Sequence, residues 1–198
     1  AELEALLAAH GQCLPFEPPH FGGGATVGGM VAAGLAGPAR AAAGSVRDHV
    51  LGATLLNGRG EVLSFGGQVM KNVAGYDVSR VLAGSMGILG VILEVSLKVL
   101  PIAPATLTLR LEMDEATALA RLNAWGGQPL PLNASTWSQG VLHLRLSGAL
   151  AAVQAAHRLI GGEPVEPEQA SALWQGWRNH HAPFFAQAHA ALAHGAAL

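Results

Sequence analysis

The 198-residue chain is short of the features that usually announce a partner. It has a single cysteine, Cys13, which excludes an internal disulfide and any cysteine-rich zinc or iron–sulfur site within these residues. A reducing compartment is the natural expectation. Charged residues make up only 12% and the formal net charge is −2, so there is no broad basic face for nucleic acid and electrostatics says little about partners. Long apolar spans are missing as well. Phe21 to Ala39 is uncharged, but seven glycines and Pro38 argue against a lipid-facing helix, and Val81 to Leu93 is too short to span. No signal peptide with a basic start and a cleavage site is visible.

What is present is an apolar fraction of 51% and 26 glycines. The length suffices for one substantial domain, or one domain and part of another, with an adequate core. The sequence opens inside an amphipathic helical pattern, with Leu3, Leu6 and Leu7 on one face, and ends in an Ala/His stretch without a stop signal. Both ends read as cuts, so the expectation is an internal fragment of a longer protein.

The pattern predicts a helix over 1–9 closed by Gly11, then mostly loop to Ala43 with one short helix near Gly28 to Leu35. Val50 to Asn57 and Glu61 to Phe65 flank Asn57-Gly58-Arg59-Gly60 and predict a β-hairpin. Val78 to Ala83 reads as a short helix. Val91 to Val99 alternates, placing Val91, Leu93, Val95, Leu97 and Val99 on one face of a half-buried strand. Pro101 and Pro104 end it, and a boundary is placed at Pro101 to Ala105, giving domains at 1–101 and 106–198.

Beyond the boundary, Thr106 to Glu112 reads as a strand and Asp114 to Trp125 as a helix with Asp114 as N-cap. Val141 to Leu146 reads as a strand, and Gly148 to Ile160 as a helix closed by Gly161-Gly162. This strand-helix-strand-helix order resembles half of a ferredoxin-like unit. Gln169 to Ala193 adds helix carrying Trp174, Trp177 and Phe184-Phe185.

Between Leu14 and Pro101 glycines fall densely between short apolar runs, so backbone amides can come close to a large flat or phosphorylated ligand. Thr26-Val27-Gly28-Gly29 at a helix start offers N–H donors of the kind that hold phosphate, or is a tight packed turn. It is neither a Gly-x-Gly-x-x-Gly nor a Walker loop. Gly34, Gly37 and Gly44 add positions a wrapped backbone would need. Asp48, after Gly44-Ser45, either caps a turn or orients a ligand hydroxyl. Lys71, Asn72 and Tyr76 place a cation, an amide and a phenol close together, either an anion or flavin-edge contact or a solvated loop lysine and a core tyrosine. The nine histidines show no His-x-x-x-His pair beside a carboxylate, and no Gly-x-Ser-x-Gly elbow occurs.

Taken in order, Gly11 to Pro15, Pro18 to Gly22, Ala25 to Ala33, Gly44 to Gly52, Gly66 to Arg80 and Gly84 to Pro101 resemble the flavin-binding domain of the vanillyl-alcohol oxidase and p-cresol methylhydroxylase (PCMH) superfamily. Within it they resemble the FAD-binding, E-type subunits of bacterial glycolate oxidases. Weaker likeness continues through Arg121 to Pro131 and His143 to Gly148, where that family has a small cap. The resemblance implies an α+β fold: the second subdomain of a PCMH-type FAD domain, mostly antiparallel sheet with flanking helices, followed by part of a small ferredoxin-like cap.

The resemblance further implies non-covalent FAD, lined by Thr26, Gly28, Gly29, Ala33, Gly34, Gly37, Gly44, Ser45 and Asp48, with backbone contacts to adenine from Val91 and Ile92. The first subdomain and its pyrophosphate loop are not in these residues, so the piece alone is expected to hold FAD poorly and to be inactive. The implied complex oxidises glycolate or a similar small 2-hydroxy acid, with a companion flavin subunit and an iron–sulfur subunit as partners. It would be cytoplasmic, attached through the complex at the inner face of the bacterial inner membrane. No catalytic residue is assigned. Alternatives within the resemblance are a non-catalytic FAD-binding or assembly subunit and another flavin oxidoreductase of the D-lactate dehydrogenase type.

Overall fold

The computed structural model describes residues 2–22, 24–67 and 76–193. The chain divides into two compact units, Ala1–Ile102 and Ala103–Leu198.

The first unit runs α1 (Glu2–Ala9), β1 (Gln12–Cys13), α2 (Val27–Ala33), α3 (Arg40–Ala43), α4 (Val46–His49), β2 (Val50–Leu56), β3 (Val62–Gly66), α5 (Val78–Val81), β4 (Val91–Leu97) and β5 (Leu100–Pro101). The expected hairpin forms because Asn57 organises the turn, its Oδ1 accepting the N–H groups of Arg59 and Glu61 at 2.9 and 3.0 Å. Strand β2 is the centre of a three-stranded antiparallel sheet ordered β3-β2-β4. Its core gathers Leu14, Phe16, Val31, Val46 and Val50, with Leu3 and Leu7 of α1 packed against them. Leu6, expected on that same helical face, is 61% exposed.

Strand β4 departs from simple alternation. Leu55 faces Ile92 while Thr54 faces Glu94, so Leu93 is an extra residue, a bulge. One extra residue exchanges the two faces of a strand. Ile92, Val95, Leu97 and Val99 therefore pack on the core, whereas Val91 and Leu93 stay exposed. The expected five-residue buried face is corrected accordingly.

The second unit runs β6 (Ala105–Glu112), α6 (Glu115–Gly126), β7 (Leu132–Ser138), β8 (Val141–Gly148), α7 (Leu150–Ile160), β9 (Glu163–Pro164), α8 (Pro167–Arg178) and α9 (Pro183–Ala193). Asp114 caps α6, its carboxylate accepting the Thr117 N–H at 2.8 Å. The four strands are antiparallel in the order β7-β8-β6-β9. A βαββαβ chain with that order is a complete ferredoxin-like unit rather than half of one.

Leu109, Leu111, Leu142, Leu144 and Leu146 fill the face covered by α6 and α7, which contribute Ala118, Val153 and Ile160. On the other face the Trp174 indole N–H of α8 donates to the Thr108 hydroxyl at 2.9 Å, and the Arg145 guanidinium stands 4.9 Å from the Trp174 ring centroid. The helical stretch expected over Gln169 to Ala193 is divided between two helices. The break carries His180 at φ 58°, and each helix begins with a proline, Pro167 and Pro183, a residue suited to a first helical position. Trp125, Trp137, Trp174 and Trp177 all belong to this unit. Among the described residues no helix is long and apolar enough to cross a membrane.

Candidate functional site

The chain enters α2 through Thr26, whose extended backbone and hydroxyl make it an N-cap: Oγ1 accepts the Gly29 N–H at 3.0 Å. The N–H groups of Val27 and Gly28 have no acceptor within the helix, as in any first turn. A β-carbon on Gly28 would lie 3.1 Å from the Ile92 carbonyl oxygen. The start of α2 thus sits on β4, and glycine is what allows the approach.

The other end of α2 is closed by Gly34 at φ 65°, whose N–H donates to the Met30 carbonyl at 3.1 Å. Gly84 and Met86 then donate to the carbonyls of Val31 and Ala32, at 3.1 and 2.9 Å, so the following loop answers the open helix end. Ala33 is half-buried in the last turn. Gly37 spends its N–H on the Phe16 carbonyl at 2.9 Å.

Gly44, Ser45 and Asp48 form a second group at the junction of α3 and α4. Gly44 turns at φ 89°. The Asp48 carboxylate reaches back to accept the Ser45 N–H at 2.7 Å and the Ser45 hydroxyl at 2.9 Å, the reciprocal half of a capping box. The Ser45 N–H, then its hydroxyl, hold the Asp48 carboxyl below the ordinary carboxylate range. Of the two roles open to Asp48, capping is the one this geometry fills.

The structure brings Thr26, Gly28 and Gly29 together with Ile92 and, next to it, exposed Val91. A groove of about 530 Å³ opens there, lined by Leu3, Leu7, Val27, Gly28, Ile92 and Leu93, with Glu94 also on its wall. The space beside Gly28 is filled by Ile92, so what the groove offers a ligand is its apolar wall and, at the start of α2, the first-turn N–H groups of Val27 and Gly28, a surface for a flat ring next to donors of the kind that hold phosphate. Lys71 and Asn72 lie outside the described residues. Tyr76 is 98% exposed, so it is not a core residue. Among the described residues no cluster of three or more His, Cys, Asp or Glu could hold a metal ion. Sequence reasoning passed over His49, which is buried directly behind Asp48. Its available signal was a polar ring placed immediately before a buried strand.

Residues 1–66 match the family described as FAD binding domain. The chain is similar to glycolate oxidase subunit GlcE of Escherichia coli (strain K12), at 50% identity over 183 residues, 92% of this chain and 51% of that protein. It is also similar to the mitochondrial cytochrome-type D-lactate dehydrogenase of Arabidopsis thaliana, at 36% identity over 97 residues, 49% of this chain and 17% of that one. The chain thus spans about half the length of the GlcE relative and less of the dehydrogenase. Among solved structures, alkyldihydroxyacetonephosphate synthase superposes with a TM-score of 0.68 at 17% identity, covering 88% of this chain and 39% of that one. That likeness concerns the fold alone, a mixed α+β arrangement of antiparallel sheets with flanking helices.

Proposed function

We propose, on the premise that this chain carries an FAD-binding domain and takes FAD as its cofactor, that it belongs to a flavin-dependent oxidoreductase complex acting on glycolate or a similar small 2-hydroxy acid. The observation that carries this reading is the GlcE likeness, which extends through both structural units. Bound FAD would supply the two-electron acceptor for converting the hydroxyl-bearing carbon to a carbonyl.

The chain's own contribution is to hold and shape. At the turn from Thr26 to Gly29 the first-turn N–H groups of Val27 and Gly28 face the pyrophosphate, Thr26 and Gly29 hold the turn through their mutual hydrogen bond, and Val91 and Ile92 offer main-chain groups to adenine. Gly44 and Ser45 line the flavin, with Asp48 fixing Ser45. Ala33, Gly34 and Gly37 act through shape, since the amides of Gly34 and Gly37 are already engaged with Met30 and Phe16. The attachment is non-covalent. The partners are a companion flavin subunit and an iron–sulfur subunit that takes the electrons onward, in a cytoplasmic complex held at the inner face of the bacterial inner membrane.

A second reading, a flavin oxidoreductase of the D-lactate type, is favoured by the likeness to D-lactate dehydrogenase. Anaerobic flavin reduction in the full-length protein, alone and with its partner subunits, separates the readings. Bleaching by glycolate in preference to D-lactate is expected. Preference for D-lactate selects the second reading, and bound FAD that neither acid reduces, in any of these preparations, makes the subunit non-catalytic. Release of all flavin on denaturation is the expected sign of non-covalent binding.

A further inference from the structure

His49 closes α4 and is 4% exposed. Its ring meets Phe16 with centroids 5.4 Å apart, and its main-chain carbonyl accepts the Lys98 N–H at 2.8 Å. Nε2 lies 2.9 Å from the carbonyl oxygen of Ala43. A carbonyl only accepts, so Nε2 donates in this bond, and in the neutral ring Nδ1 is then the acceptor. That Nδ1 is buried with no hydrogen-bond partner.

The placement of this bond is informative. Ala43 is the last residue of α3, where a helix leaves its carbonyls without intrahelical donors. The next residue, Gly44, turns at φ 89° into Ser45. A buried unpaired acceptor is destabilising, so histidine here gives up stability relative to an apolar side chain of similar size. What it gains is one donor aimed at the carbonyl just before the turn.

We propose that His49 is a positioning residue for the flavin: its Nε2–H holds the Ala43 carbonyl and so fixes the Gly44–Ser45 turn in the form that lines the cofactor. The inference rests on the assignment of Gly44 and Ser45 to the flavin-lining segment. The turn is held from two sides by sequence neighbours. Asp48 binds Ser45 on the exposed side, and His49 binds Ala43 on the buried side.

The test compares His49→Met, of similar size without the donor, with His49→Gln, which keeps an N–H donor near the Nε2 position, in the full-length protein. FAD affinity is measured by flavin fluorescence titration, and hydrogen exchange at the Gly44 and Ser45 amides is measured without FAD. In His49→Met, roughly tenfold weaker FAD binding and faster exchange at both amides are expected. His49→Gln should restore both to within about threefold of wild type. Unchanged exchange in His49→Met overturns the inference, and so does a His49→Gln variant as impaired as His49→Met, because packing would then be the cause.

Faster exchange with unaltered FAD affinity removes Gly44 and Ser45 from the flavin site and overturns the inference with that assignment. A wild-type protein that takes up no FAD defeats the cofactor assignment, while the exchange comparison still decides whether His49 holds the turn. If His49→Met does not fold, nitrogen-15 spectroscopy of the wild-type ring decides. A protonated Nε2 with a bare Nδ1 supports the bond, and an Nδ1–H tautomer overturns it.

Discussion

A β-carbon on Gly34 would lie 2.7 Å from the backbone nitrogen of Gly84. The end of α2 and the loop that follows α5 are therefore in backbone contact, with Gly84 N–H donating to the Val31 carbonyl. Gly34→Ala should destabilise the first unit by about 1–2 kcal/mol from its left-handed backbone alone. The collision with Gly84 adds to that. Urea unfolding followed by far-UV circular dichroism checks it: a loss of about 1–2 kcal/mol would show that the loop gives way freely, and an unchanged midpoint would contradict the left-handed strain itself.

Gly28→Val and Gly44→Val should abolish flavin retention, but not only by filling cofactor space. At Gly28 the first obstacle is the Ile92 carbonyl, and at Gly44 it is the Asp48 carboxylate, 2.9 Å from a β-carbon. At φ 89° a β-branched residue is also strained. Flavin content and melting temperature should consequently fall together in both variants. Wild-type flavin content in Gly44→Val would take that turn out of the site.

Acid should weaken the fold through two capping carboxylates. Backbone and hydroxyl donors of Ser45 and Thr117 hold Asp48 and Asp114 below their ordinary range. A carboxyl with a lowered folded-state value stabilises the fold fully above its unfolded value, about 3.9, and loses that contribution as pH falls through the folded value. The Asp48→Asn, Asp114→Asn double variant should show a flatter dependence of melting temperature on pH below about 4. Equal slopes would contradict the assignment.

His143 responds in the same direction at higher pH. Burial, then the neighbouring Arg110 guanidinium, lower its value. The unfolded chain therefore takes up the proton first, so stability present above the unfolded value, about 6.5, declines as pH falls toward the folded one. Arg110→Met should raise the His143 midpoint in an NMR titration. No movement would leave burial as the whole cause.

Trp174→Phe removes the indole donor from Thr108, which is 3% exposed, and weakens the contact with Arg145. A loss of about 1–3 kcal/mol from the second unit is expected in denaturant unfolding. A smaller loss than Trp174→Ala would separate the polar contacts from the packing.

Local chemistry made much of this fold legible. Asn57-Gly58-Arg59-Gly60 between two apolar runs gives the hairpin, and Asp114 gives the start of α6. Strand β7 escaped because Leu132–Ser138 mixes Asn, Ser and Thr among its apolar residues, and its pairing with β8 supplies what its pattern does not. Strand β9 is two residues long and ends in proline. The bulge at Leu93 is likewise invisible locally, since an alternating sequence carries no mark of the partner that skips a residue. At the site, the glycine pattern located the turns. It could not say that Gly28 answers to Ile92 and Gly34 to Gly84, contacts made only when distant segments meet.

The four tryptophans have a consequence for any optical experiment on these 198 residues. All lie beyond Ile102, while the only tyrosine, Tyr76, belongs to the first unit and stands in solvent. Indole emission is thus a one-sided reporter, silent about the loss of the glycine-rich half. A fluorescence melt and a circular dichroism melt would sample different parts of the molecule, and their failure to coincide would reflect where the chromophores sit before it signalled a folding intermediate.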